Sequence, residues 1–173
     1  EAQAAVCTLT ERIDQDVLSA APRLRVIANY AVGYNNIDVQ AAQARGVTVT
    51  NTPDVLTEAT ADLTWALLLA TARCLPEGDR LVRQGTWKGW EPTQMLGADV
   101  HGKTLGIIGM GRIGRAVARR AVGFNMFVLY CSHGATDPSA RDSPWQRQPL
   151  DEVLARSDFV SLHVPLTLET HHL

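Results

Sequence analysis

Hydrophobic residues in the first fifty positions fall in short clusters, and the polar intervals between them fit strands alternating with helices. Val6–Leu9, Arg25–Asn29 and Val47–Thr50 have the length and β-branched content of strands. The spacing between them predicts a helix over Asp14–Ala20 that breaks at Pro22, and a second over Val39–Arg45, capped by Asp38 and closed by Gly46. Strands alternating with helices imply a parallel sheet with right-handed crossovers. The pattern changes after Thr52-Pro53-Asp54. A long helix is predicted over Thr57–Arg73, apolar on nearly every side, so it should be buried between domains or against a partner subunit. Pro76 opens a shorter helix to about Gln84. Residues 85–101 then read as an irregular arm, whose Trp87 and Trp90 are expected to be packing anchors rather than ligand contacts.

The chemistry concentrates after this arm. Thr104–Ile108 is a short apolar run, and Gly109-Met110-Gly111-Arg112-Ile113-Gly114 follows it directly. Ile113, Val117 and Ala121 then recur every four residues, as one face of a helix requires. A further strand is predicted at Phe127–Tyr130 and another at Phe159–Leu162. A strand that feeds three glycines into a helix suits a dinucleotide pyrophosphate. Gly109 permits the tight turn, Gly111 lets the backbone approach the phosphates, and Gly114 lets helix and strand pack closely, with helix N–H groups aimed at the anion. A glycine turn without a ligand is the plainer alternative.

Composition narrows the field. The 173 residues are 46% hydrophobic, enough for a sizeable core in one domain or parts of two. A net charge of −2 gives no field for nucleic acid or membrane. Cys7, Cys74 and Cys131 have no C-x-x-C spacing and suit the reduced thiols of a cytoplasmic protein. The longest apolar run is too short to cross a bilayer, and no metal-ligand spacing occurs. The chain has no initiator Met and stops just after a predicted internal strand, which reads as a fragment.

Four ordered segments carry a family resemblance: Tyr30-Ala31-Val32-Gly33-Tyr34-Asn35-Asn36-Ile37-Asp38, Asn51–Thr57, Gly102–Gly114 and Ser157–Thr167. Together they resemble the D-isomer-specific 2-hydroxyacid dehydrogenases, closest to glyoxylate/hydroxypyruvate reductases. The resemblance implies an α/β fold of doubly wound parallel sheets. Residues 1–98 would be the later part of a flavodoxin-like substrate domain with its crossover helix and arm. Residues 99–173 would be the first half of a Rossmann dinucleotide-binding domain. It also implies that the amides of Val32 and Gly33 hold the substrate carboxylate, which suits an anion nest; a bare β-to-α turn is the alternative. Arg112 through its side chain and Ile113 through its amide would face the pyrophosphate, and Val164 and Pro165 would lie on the ribose side. Asn35 stands where many relatives have Asp. The implied activity is reduction of a small 2-oxoacid to the D-2-hydroxyacid. A homodimer is expected from the nearly all-apolar helix Thr57–Arg73 and the Trp87–Trp90 arm.

Cofactor choice is read at the end of the second Rossmann strand, where NAD-using enzymes place an acid roughly 20 residues after the first glycine. Here Ser132 takes that position, His133 follows, and no acid appears before Asp137. A hydroxyl and an imidazole can donate to a 2′-phosphate that a carboxylate would repel, which favours NADPH, with NADH the alternative. The usual Arg after this position is missing, and Arg141 is a candidate helper. The resemblance places the catalytic Arg, Glu or Asp, and His beyond residue 173. None of His101, His133, His163, His171 and His172 falls in the corresponding motif, so no catalytic residue is assigned. His163 is expected to be a packed strand-end residue. The competing class is a non-catalytic, nucleotide-sensing interaction protein of the same superfamily, resembling its corepressors.

Overall fold

The computed structural model describes residues 2–132 and 143–173. It divides into two compact units, Glu1–Leu56 joined by Pro165–Leu173, and Thr57–Val164.

The first unit runs β1 (Ala4–Cys7), α1 (Gln15–Ala20), β2 (Val26–Asn29), α2 (Val39–Ala44), β3 (Thr48–Thr50). The strands are parallel in the order β1-β2-β3. Both helices start where the sequence places them, because an aspartate satisfies first-turn N–H groups. Asp14 accepts from the amides of Asp16 and Val17, and Asp38 from that of Ala41. Leu18, Ile27 and Ala42 close the core between sheet and helices. Strand β1 ends at Cys7 instead of continuing to Leu9. The cause is local: the Glu11 carboxylate accepts from the Thr8 amide at 2.6 Å and from the hydroxyls of Thr8 and Thr10 at 2.8 and 2.7 Å, which turns the chain away from the sheet. These bonds, with Thr10 leading, hold the Glu11 carboxyl down at about 2.

The second unit contains α3 (Thr57–Ala72), α4 (Leu75–Arg83), β4 (Thr104–Ile108), α5 (Arg112–Ala121), a 3₁₀ turn (Val122–Phe124), β5 (Phe127–Cys131), β6 (Gln146–Arg147), α6 (Leu150–Arg156) and β7 (Phe159–Leu162). Its parallel sheet has the order β6-β5-β4-β7. Strand β4 is central, with Leu105 and Ile107 fully buried. The chain builds outward from β4 through β5 to β6 and then returns to the other side of β4 for β7. The order therefore reverses between β4 and β7, and ligands of open α/β sheets bind outside the carboxyl ends of strands at such a reversal.

Helix α3 packs on α5 through one face. Trp65 is buried, stacks on Phe124 with ring centroids 4.6 Å apart, and donates its indole N–H to the Val117 carbonyl at 3.0 Å. Arg120 bonds Asp62 at 2.6 Å and Glu58 at 2.9 Å, and Arg119 bonds Glu58 at 2.8 Å, so α3 and α5 are also linked by charge. The helix thus belongs to the compact unit with the glycine loop, whereas a division at 98/99 assigns it to the preceding domain. Its burial is one-sided: Leu63 and Leu67 remain 59% and 60% exposed. Trp87 and Trp90 are also exposed rather than serving as packing anchors; the Trp87 indole donates to the Gln94 side chain.

Candidate functional site

Two sets of backbone groups sit at carboxyl ends of strands. The first is the loop from β4 into α5. Gly109 has φ +99°, a conformation that favours glycine, and a Cβ there would lie 2.7 Å from the His163 backbone and 2.8 Å from a Val164 methyl. A Cβ on Gly114 would strike the Gly109 carbonyl oxygen, so α5 approaches the loop at a distance that only glycine permits. Nothing lies within 4 Å of a Cβ built on Gly111. Two of the three glycines are therefore required by protein neighbours, and the third faces open space.

That open space lies at the amino end of α5, a ten-residue helix whose N-cap, Gly111, has no side chain to cap the first turn. Arg112 is exposed at the helix start, Ile113 is half-buried, and the amide of Arg115 is the first to return to the Gly111 carbonyl. The donor set and the clearance over Gly111 fit a pyrophosphate.

Strand β7 contributes the other wall. The His163 amide donates to the Ile108 carbonyl at 2.7 Å, which keeps His163-Val164 beside Gly109. The His163 ring is bonded to the Ser161 hydroxyl at 2.9 Å, and burial pushes its pKa below the ordinary value. It is the packed strand-end residue expected from sequence. At the other side, Ser132 follows β5, and its carbonyl accepts from the Arg147 guanidinium at 2.6 Å. Burial raises the pKa of the neighbouring Cys131 thiol, and the charge of Arg147 opposes the rise. His133 and Arg141 lie outside the described residues.

The second set is in the first unit, where the chain leaves β2. Three successive carbonyls are held there. Ala31 accepts from the Thr52 amide at 2.9 Å, Val32 from the Asn51 side chain at 2.9 Å, and Gly33 from the Asn29 side chain at 2.6 Å. Among the described residues no acceptor takes the amides of Val32 and Gly33. Asn29 is buried, and its oxygen accepts from the Cys7 thiol at 3.4 Å. Asn35 is exposed. A turn whose carbonyls are fixed from behind presents its N–H groups forward, which is how a backbone nest holds an anion.

The sequence points to Val32, Gly33 and the glycine loop; the structure adds Asn29, Asn51 and Arg147, which bond the Gly33, Val32 and Ser132 carbonyls. Asn51 lies within a segment that the resemblance singled out. Nothing in the sequence marks Asn29 or Arg147. Among the described residues there is no cluster of three or more potential metal ligands and no helix long and apolar enough to cross a membrane.

Residues 65–173 match the family model of the D-isomer specific 2-hydroxyacid dehydrogenase, NAD binding domain, and the chain belongs to that family. It is 57% identical to a glyoxylate reductase from Pyrococcus horikoshii, with all of this chain and 53% of the relative aligned. Among solved structures it resembles a D-lactate dehydrogenase from Aquifex aeolicus complexed with NAD and lactic acid, with a TM-score of 0.92 and 31% identity over 100% of this chain and 51% of that one. It also resembles an acyclic imino acid reductase in complex with NADPH and D-Arg, with a TM-score of 0.86 and 27% identity over 97% of this chain and 52% of the other. The chain spans about half the length of the relatives it matches.

Proposed function

We propose that the complete protein reduces a small 2-oxoacid of the glyoxylate or hydroxypyruvate kind to the D-2-hydroxyacid, using a nicotinamide cofactor, and NADPH in preference to NADH. The observation that carries this reading is the division of labour among the three glycines. Gly109 and Gly114 are dictated by protein contacts, while nothing lies within 4 Å of a Cβ built on Gly111, which leaves room there for a pyrophosphate. Membership of the family and the 57% identity to a glyoxylate reductase support the reaction class.

In this reading the amides at the start of α5, with Gly109, Gly111, Arg112, Ile113 and Gly114, bind the pyrophosphate. Ser132 and His133 meet the 2′ side of the adenosine ribose, while Val164 and Pro165 contact the ribose side across the loop. The amides of Val32 and Gly33 hold the carboxylate of the oxoacid. The bound cofactor supplies a hydride to the carbonyl carbon of the substrate. Residues 1–173 are assigned binding and orientation only. The proton donor and the guanidinium that clamps the oxoacid belong to the remainder of the protein, in keeping with the family resemblance.

Domain roles follow: the first unit is the substrate side and the second the dinucleotide side. The exposed Leu63 and Leu67 of α3 and the exposed Trp87 and Trp90 support a homodimer. Three free cysteines suit a reducing cytoplasm. The deciding assay follows NADPH and NADH oxidation by the complete protein with glyoxylate and with hydroxypyruvate, and identifies the configuration of the product. Turnover of neither substrate with either cofactor would sink the reading. Sedimentation as a monomer at micromolar concentration would remove the dimer.

A further inference from the structure

We propose that Asn29 is a positioning residue for the oxoacid: from the buried side of the turn after β2 it fixes the peptide plane that follows Gly33, while Cys7 and Asn36 hold its amide in the orientation this requires. The inference rests on the reading that the Val32 and Gly33 amides bind the substrate carboxylate, and deepens it.

Asn29 is the last residue of β2, the register partner of Cys7 on β1, and 1% exposed. Burying an amide costs desolvation that an apolar residue of similar volume avoids, so its bonds have to offset that cost. The Asn29 nitrogen donates to the Gly33 carbonyl at 2.6 Å, and its oxygen accepts from the Cys7 thiol at 3.4 Å and the Asn36 side-chain nitrogen at 3.5 Å. These partners allow one orientation. Turned over, the amide would set its nitrogen against the Asn36 nitrogen and its oxygen against the Gly33 carbonyl oxygen. Asn36 is held in turn, because its nitrogen also donates to the Thr8 and Glu11 carbonyls at 2.9 and 3.0 Å.

The consequence for the nest follows from peptide planarity. Each C=O and the N–H after it lie in one plane and point in opposite directions. The Thr52 amide on the Ala31 carbonyl therefore sets the Val32 N–H, and the Asn51 side chain on the Val32 carbonyl sets the Gly33 N–H. Asn29 fixes the next plane, so two asparagines hold both peptide planes that flank the Gly33 Cα. Gly33 has no side chain to be packed into place, and a Cβ there would lie 3.5 Å from its nearest neighbour, the Asn35 side-chain oxygen. Hydrogen bonds supply the restraint instead. The plainer role of the network is to satisfy polar groups buried where the chain leaves β2, and the two roles make different predictions.

The test compares the complete protein with its N29L, C7A, C7S and N51A variants. It measures KM for glyoxylate, the inhibition constant of oxamate, the dissociation constant of NADPH and the thermal unfolding midpoint. N29L keeps the volume and removes the bonds; it should raise KM and the oxamate constant together by about 5–50-fold, with NADPH binding within about twofold of wild type. C7A removes one donor to the Asn29 oxygen and should move both constants the same way by about 2–5-fold, and C7S, which restores a donor, should recover most of that loss. If N29L fails to fold, N29S, too short to reach the Gly33 carbonyl, takes its place. A lowered midpoint with unchanged KM and oxamate constants would establish the plainer role and overturn the proposal. So would equal effects of C7A and C7S, or a raised KM in N51A without one in N29L. Unchanged constants in both N51A and N29L would remove the nest itself. Failure of the underlying reaction has a different signature: wild type would reduce neither glyoxylate nor hydroxypyruvate, and the proposal would fall with it.

Discussion

The carbonyl oxygen of Gly109 occupies the place that a Cβ on residue 114 would need. The first and last glycines of the loop are therefore coupled: the left-handed turn at one aims a carbonyl at the helix that starts beside the other. Gly111 has no such partner. Gly114→Ala should destabilise the fold by about 1–3 kcal/mol through overpacking and weaken dinucleotide binding with it. Gly111→Ala should change stability by less than about 1 kcal/mol yet weaken dinucleotide binding at least as strongly. Urea unfolding midpoints and NADPH binding, measured on both variants, check the contrast. If Gly111→Ala bound NADPH normally, the open space above that residue would not be the pyrophosphate site.

The turn at Val32-Gly33 is held by the side chains of Asn29 and Asn51. Asn51→Ala removes the donor to the Val32 carbonyl and should raise KM for the oxoacid by about 2–10-fold, the scale of one lost hydrogen bond. The dissociation constant of the cofactor should stay fixed. Steady-state kinetics of the complete protein decide this, and an unchanged KM would show that the turn keeps its shape without Asn51.

Trp65 should be the anchor of α3. Trp65→Phe keeps the stacking on Phe124 and loses the bond to the Val117 carbonyl, for about 0.5–1.5 kcal/mol. Trp65→Ala loses both and leaves a cavity, for about 3–5 kcal/mol. Denaturant titrations at constant m-value measure these costs. An alanine variant within 1 kcal/mol of wild type would mean that α3 is held mainly by its ion pairs with Arg119 and Arg120.

His163 gives a pH dependence with a defined sign. Its folded pKa lies below the unfolded value of 6.5 because burial disfavours the imidazolium. Between those two values the unfolded chain binds the proton more readily, so stability rises with pH through the window and falls on acidification below 6.5. Above the unfolded value the group has no effect. His163→Gln should flatten this part of the profile on the acid side of 6.5, as followed by thermal unfolding across pH. An unchanged slope would assign the acid sensitivity to other groups.

Much of the fold was legible because its signals are local. The caps at Asp14 and Asp38 bond amides two or three residues away. The end of β1 was misjudged for a related reason: apolar character continues to Leu9, but the Thr8–Glu11 bonds turn the chain after Cys7. Helix α3 is legible as a helix from its apolar run, but which of its faces the chain itself covers is not. Ala61, Trp65 and Ala72 are buried, while Leu63 and Leu67 are exposed.

The sequence by itself determined the alternation of strands and helices, the spacing of the three glycines, the helix starts and the family. Each of these depends on covalent geometry, side-chain volume and charge within a few residues. Only the tertiary structure decided which distant groups meet. Trp65 finds Val117 across 52 residues, Asn51 finds Val32 across 19, and Arg147 finds Ser132 across 15. Those pairings follow from strand order, and strand order is set by which apolar faces bury one another. A residue reached by such a route, as Arg147 is, carries no mark in the sequence around it.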